Sequence, residues 1–148
     1  MLRFDGYYIH FKNQEKLDDY LIVKSSHNNE FSFIRFFENG KVVSATIVSS
    51  GYIKDIICSV SRWLNESFMD NSGVYHLSNQ NHISFNINSE FGVVEYYGVI
   101  NSDEQIILNS ISKINGHSSD NIIYLFHPIK KSNDSFDSLE EIYNEYKH

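Results

Sequence analysis

The stretch ISFNINSEFGVVEYYGVINSDEQIILNSIS, residues 83–112, decides the fold class. Its first part alternates cleanly. Ile83, Phe85 and Ile87 share one side, and His82, Ser84, Asn86 and Asn88 the other. That is the period of an antiparallel strand with one face in a core and one in water. Ser89-Glu90 then turns into a strand over 91–100, and Asn101-Ser102-Asp103 turns into another over 104–113. Three strands joined by short polar turns predict an antiparallel meander.

Working outward, GVYHLS (73–78) and NIIYLFHPI (121–129) read as flanking strands, with Pro128 at an end, where a missing N–H costs least. Upstream lie GYYIHF (6–11), a short YLIVK (20–24) and FSFIRFFE (31–38). Asn39-Gly40 then leads into KVVSATIVSS, and such a pair favours a two-residue hairpin turn. Residues 52–68 change period. Ile53, Ile56, Ile57, Val60, Trp63, Leu64 and Phe68 trace one face of a helix that should pack Trp63 onto the sheet or plug an open end. A second, short helix is expected over 136–146. Seven or eight strands with turns about every ten residues predict one mainly β domain over 1–148. It should be a small antiparallel meander barrel or sandwich.

Composition agrees. Ala45 and Pro128 are the sole alanine and proline, and branched and aromatic residues take the place of good helix formers. A chain of 148 residues can bury a core without covalent staples. The net charge of -7 and the scatter of Lys and Arg argue against direct nucleic-acid binding and favour a basic protein partner. No apolar run approaches the ~20 residues that span a bilayer, so no membrane association is expected. MLRFDGYYIHFK lacks a signal-peptide pattern, which points to the cytoplasm. Cys58 stands alone in the helical stretch and reads as a small buried hydrophobe.

Chemistry is sparse. No nucleophile elbow, phosphate loop or His-x-x-x-His motif is present. His76 and His82 flank a turn, but two ligands do not make a zinc site. No catalytic residue, metal or cofactor is expected. Glu95 sits mid-strand and Arg35 lies within FSFIRFFE. Each either points outward, or the two form a polar pair inside the barrel, because a lone buried charge is costly.

The order of these segments resembles lipocalin-like, calycin-type barrels of bacteria. Gly6-Tyr7-Tyr8 opens the first strand as Gly-x-Trp does in lipocalins, and RFFENGKV, GVYHL, HISF, VVEYYGVI and LNSISKINGH follow in similar fashion. The likeness covers most of residues 6–129. Tyr8 replaces the tryptophan, and the last strand has no arginine for the Arg-x-Tyr carboxylate clamp of the intracellular lipid-binding branch. The resemblance implies a barrel that can carry a small hydrophobic ligand. Phe33, Phe85, Tyr96, Tyr124 and Phe126 would line it and Arg35 would hold a polar head.

The general style is also similar to that of bacterial immunity proteins, including those of contact-dependent growth inhibition systems. That likeness implies a binding protein that neutralises a cognate toxin domain, such as a toxic nuclease. Asp134, Asp137, Glu140, Glu141 and Glu145 on the C-terminal helix are the expected partner interface. Of the two readings, toxin neutralisation stands ahead of ligand carriage.

Overall fold

The computed structural model describes residues 1–11, 24–79 and 81–129. Eight strands follow in order: β1 (Gly6–Phe11), β2 (Lys24–Phe36), β3 (Lys41–Tyr52), β4 (Ser72–Ser78), β5 (His82–Ser89), β6 (Gly92–Ser102), β7 (Gln105–Ser112) and β8 (Ser118–Pro128). One helix, α1 (Ile53–Ser61), lies between β3 and β4. Each strand pairs antiparallel with the next, and β8 returns to β1, so the sheet is a closed barrel. This is the barrel alternative of the sequence reading, and it is compatible with a lipocalin-like barrel. Closure is narrowest between β3 and β4, which pair only at Lys41–Val43, so the β2–β3 hairpin extends past its neighbours. Gly6 makes closure possible at its own position, because a Cβ there would come within 2.1 Å of the His127 carbonyl oxygen.

Two cores share the wall. Inside the barrel, Tyr8, Ile34, Phe36, Phe85, Leu108 and Phe126 belong to one buried cluster. Its rings touch in sequence: Phe126 to Tyr8 at 5.0 Å, Tyr8 to Phe36 at 5.8 Å, Phe36 to Phe85 at 5.4 Å, and Phe85 stacked on Tyr96 at 4.8 Å. The second cluster lies on the outside of β1–β3, where Tyr7, Ile9, Phe33 and Ala45 pack against Ile56, Val60 and Leu64. The Tyr7 hydroxyl donates to the Leu64 carbonyl at 2.6 Å and pins the chain after α1 to β1.

Several elements differ from expectation. The helix ends at Ser61 rather than near residue 68. Arg62 and Trp63 donate to Ser59 and Val60, three residues back, which tightens the turn. Asn65 Oδ1 then accepts from the Ser67 amide at 3.0 Å and its hydroxyl at 2.6 Å, a local bond that competes with continued helix. Trp63 is 39% exposed and rests on Phe68 at 5.6 Å, so Leu64, not Trp63, is the buried anchor. The helix covers the outer wall and does not plug an end. Cys58 on it is half-buried.

The Asn39-Gly40 turn is one residue longer than expected. Phe37 N donates to Lys41 O and Gly40 N to Phe37 O, enclosing Glu38, Asn39 and Gly40, with Gly40 alone of the three at positive φ (95°). β8 starts at Ser118 rather than near 121, with a register irregularity against β7 between Leu108 and Ser110. Of YLIVK, Lys24 opens β2 and the rest lies outside the described residues. The helix expected over 136–146 lies outside them too.

The segment before β1 covers the barrel end that carries the β6–β7 turn. Leu2 is buried in the inner core and Phe4 packs against it. The Met1 ammonium meets Asp103 Oδ1 at 2.9 Å, and the Arg3 guanidinium lies 4.1 Å from the centre of the Phe126 ring. The Tyr8 hydroxyl accepts from Arg3 N at 3.0 Å and donates to Asp103 O at 3.3 Å.

Candidate protein-binding surface

The outer face of β4 and β5 is the least covered part of the described wall. β5 shows the alternation read from the sequence, with Ile83, Phe85 and Ile87 buried and His82, Ser84, Asn86 and Asn88 exposed. At its end Ser89 pairs with Gly92, leaving Glu90-Phe91 as a two-residue hairpin tip. Ser89 Oγ accepts from Phe91 N at 3.2 Å and donates to Gly92 O at 3.2 Å, which fixes the tip. Facing it is the connection from α1 into β4. Ser44 N donates to Asn71 O at 3.1 Å, Ser72 Oγ donates to Met69 O at 3.3 Å, and Asn88 Nδ2 donates to Ser72 O at 3.4 Å.

Between the tip and the connection lies a recess of about 550 Å³, lined by Met69, Asp70, Asn71, Asn88, Glu90 and Phe91 among others. Phe91 is 75% exposed and Met69 71%. Tips of hairpins are ordinarily polar, so a phenylalanine held out at one by the Ser89 hydroxyl's bonds to the backbone is a feature in need of a role. No cation lines the recess, and two carboxylates do, Asp70 and Glu90. Lys41 stands nearby, 3.6 Å from Met69 Sδ, with its ammonium donating to the Glu66 carbonyl oxygen. A second recess of about 400 Å³ shares Asn88 and runs along β4 and β5 past Asn86, His76 and Val74, the last 59% exposed.

The residues singled out from the sequence fall elsewhere. Asp134, Asp137, Glu140, Glu141 and Glu145 lie outside the described residues. Arg35 and Glu95 are not brought together. Both are on the outward side of strands four places apart in an eight-stranded barrel, β2 and β6. Glu95 Oε1 pairs with Lys113 Nζ at 3.3 Å at the half-exposed surface. Arg35 lies over the rings of Phe37 at 4.9 Å and Tyr7 at 5.5 Å, beside the outer core, and its buried Nε has no hydrogen-bond partner among the described residues. Phe33 belongs to that outer core, whereas Phe85, Tyr96, Tyr124 and Phe126 do face the interior. His76 stands opposite Ser84, and His82 opposite Ser78, so the two histidines do not pair across the hairpin. Among the described residues no group of three or more His, Cys, Asp or Glu side chains could hold a metal ion, and no helix is long and apolar enough to cross a membrane.

Burial shifts Tyr7, Tyr124 and His127 towards their neutral forms. Burial pushes the Tyr7 phenol up to about 12, against the opposing pull of Arg35. Burial, and then the neighbouring Tyr96, raises Tyr124. Burial lowers His127, opposite Tyr7 in the β1–β8 register, to about 4. Towards the end away from Leu2, His10 lies 5.7 Å from the Tyr124 ring, and Ser32 Oγ and Thr46 Oγ1 are 3.3 Å apart at the surface.

No family model, no curated protein and no solved structure matches the chain.

Proposed function

We propose that the protein acts by binding rather than catalysis. In this reading it is an immunity-type inhibitor that neutralises a basic toxin domain, such as a toxic nuclease, by direct contact in the cytoplasm. The observation that carries the reading is the recess beside Phe91, where exposed apolar surface and two carboxylates occur together on a chain of net charge -7. A nuclease must be basic where it holds nucleic acid. An acidic surface with an aromatic centre speeds encounter with such a site and supplies the desolvated contact that holds it.

The test is a tagged pull-down from the native host, eluted in steps of rising salt and followed by native mass spectrometry. A stoichiometric basic protein released by salt supports the reading. A bound mass of a few hundred daltons with no protein partner would replace it with the second reading, a lipocalin-like carrier of a small hydrophobic ligand. The linked rings that occupy the interior weigh against it.

A further inference from the structure

We infer that the recess between Met69–Asn71 and the Glu90-Phe91 tip receives an arginine side chain of the partner. The guanidinium would be held by Asp70 and Glu90 against the Phe91 ring. This inference rests on the inhibitor reading and names its point of contact.

Three features select arginine over other side chains. Two carboxylates on separate elements face one recess, and neither forms an ion pair among the described residues. A cation entering there meets negative charge from both elements, and a planar guanidinium has more than one hydrogen-bonding edge to offer them. Phe91 offers an uncovered ring face, which attracts a guanidinium more readily than it does the strongly hydrated ammonium of lysine. Met69 supplies a soft, adaptable apolar wall for the three methylenes of the stem.

The surroundings suit a protein rather than a free amino acid. The second recess continues from Asn88 past Asn86 and His76, so an extended segment flanking the arginine would meet side-chain amides able to bond its backbone. Val74 adds an apolar contact on that path. Arginine enclosed by apolar surface is a common centre of protein interfaces.

The experiment has two arms on the full chain. In the first, backbone amide shifts are followed by NMR during titration with N-acetyl-arginine methylamide, and in parallel with its neutral isostere N-acetyl-citrulline methylamide. Shifts confined to residues 69–71 and 88–91, larger for arginine and abolished in the Asp70→Asn/Glu90→Gln double variant, are expected. Phe91→Ala should weaken the response while the spectrum stays dispersed, because its side chain is exposed. Equal shifts for both probes, or shifts elsewhere, would overturn the site.

In the second arm, the protein captured in the pull-down is titrated against wild type and the double variant. A loss of at least about tenfold in affinity is expected. A partner that binds both equally would sink the recess and leave the inhibitor reading intact. A normal arginine response with no protein partner would sink the inhibitor reading and leave the arginine site.

Discussion

β2 and β5 are both central strands of one barrel, yet they bury their side chains differently. In β5 one face is core and the other is water, and the sequence HISFNINS alternates accordingly. In β2, Phe31 and Phe33 pack outward under α1 while Ile34 and Phe36 pack inward, so FSFIRFF reads as an almost continuous apolar run. The difference teaches that alternation identifies a wall in water, and its loss identifies a wall with a second layer on it. It also puts Arg35 in context. The guanidinium is part of that second layer, lying on Tyr7 and Phe37, and is not a polar group inside the barrel.

The comparison can be broken by a pair of truncations. Phe33→Ala, in the outer core, and Phe85→Ala, in the inner core, should each cost about 3–5 kcal/mol in chemical denaturation. If the sheet separates two independent cores, the double variant should lose the sum to within about 0.5 kcal/mol. A larger coupling would mean that the two layers behave as one.

A smaller effect should appear with pH. His127 is held near 4 by burial, below its ordinary value of 6.5. Between those values the unfolded chain binds a proton that the folded one does not. Its contribution is therefore fully present above pH 6.5 and is lost as pH falls towards 4. At about 1.4 kcal/mol per unit, the loss is on the order of 2–3 kcal/mol at most, since the side chain is partly exposed. His127→Asn should flatten that part of the stability profile. An unchanged slope would place the proton uptake elsewhere.

The smallest effects sharpen the same contrast. Arg35→Met keeps the stem and removes a buried nitrogen that has no hydrogen-bond partner among the described residues, so it should be neutral or slightly stabilising. Glu95→Gln loses a half-exposed ion pair worth about 0–1 kcal/mol. Thermal melts of both should fall close to wild type. A large loss from either would restore the idea of a structural charge within the barrel.

Much of the barrel was legible because its strands are local. β5 to β7 carry alternation and turn residues side by side, and each hairpin needs no knowledge of the rest. Parity in FSFIRFF was not legible, since apolar residues on both faces give no phase. That single ambiguity misplaced Phe33 and left Arg35 open between an outward position, which it takes, and one inside the barrel. The helix was read too long because Leu64 and Phe68 keep the helical spacing after the backbone has left the helix at Ser61. β8 was read too short because its first residues, Ser118-Ser119-Asp120-Asn121, are polar and run through the irregular pairing with β7. The recess joins a connection and a hairpin tip well apart in the chain, and no periodicity links them. The one local signal was Phe91 beside Glu90 at a turn, an apolar ring where a polar residue is usual.

The seam between β1 and β8 has a consequence for the order of folding. Gly6 pairs with Pro128 across almost the whole described chain, whereas the other seams join neighbouring strands. Neighbouring hairpins can form early at little entropic cost, but this seam must wait for the last strand. During synthesis β1 leaves the ribosome first and is partnered on one side only until β8 emerges. The protein therefore passes through an open, curled sheet with two exposed edges, and the closing of that sheet is the step at which a chaperone, or a misplaced strand from a second chain, would find it vulnerable.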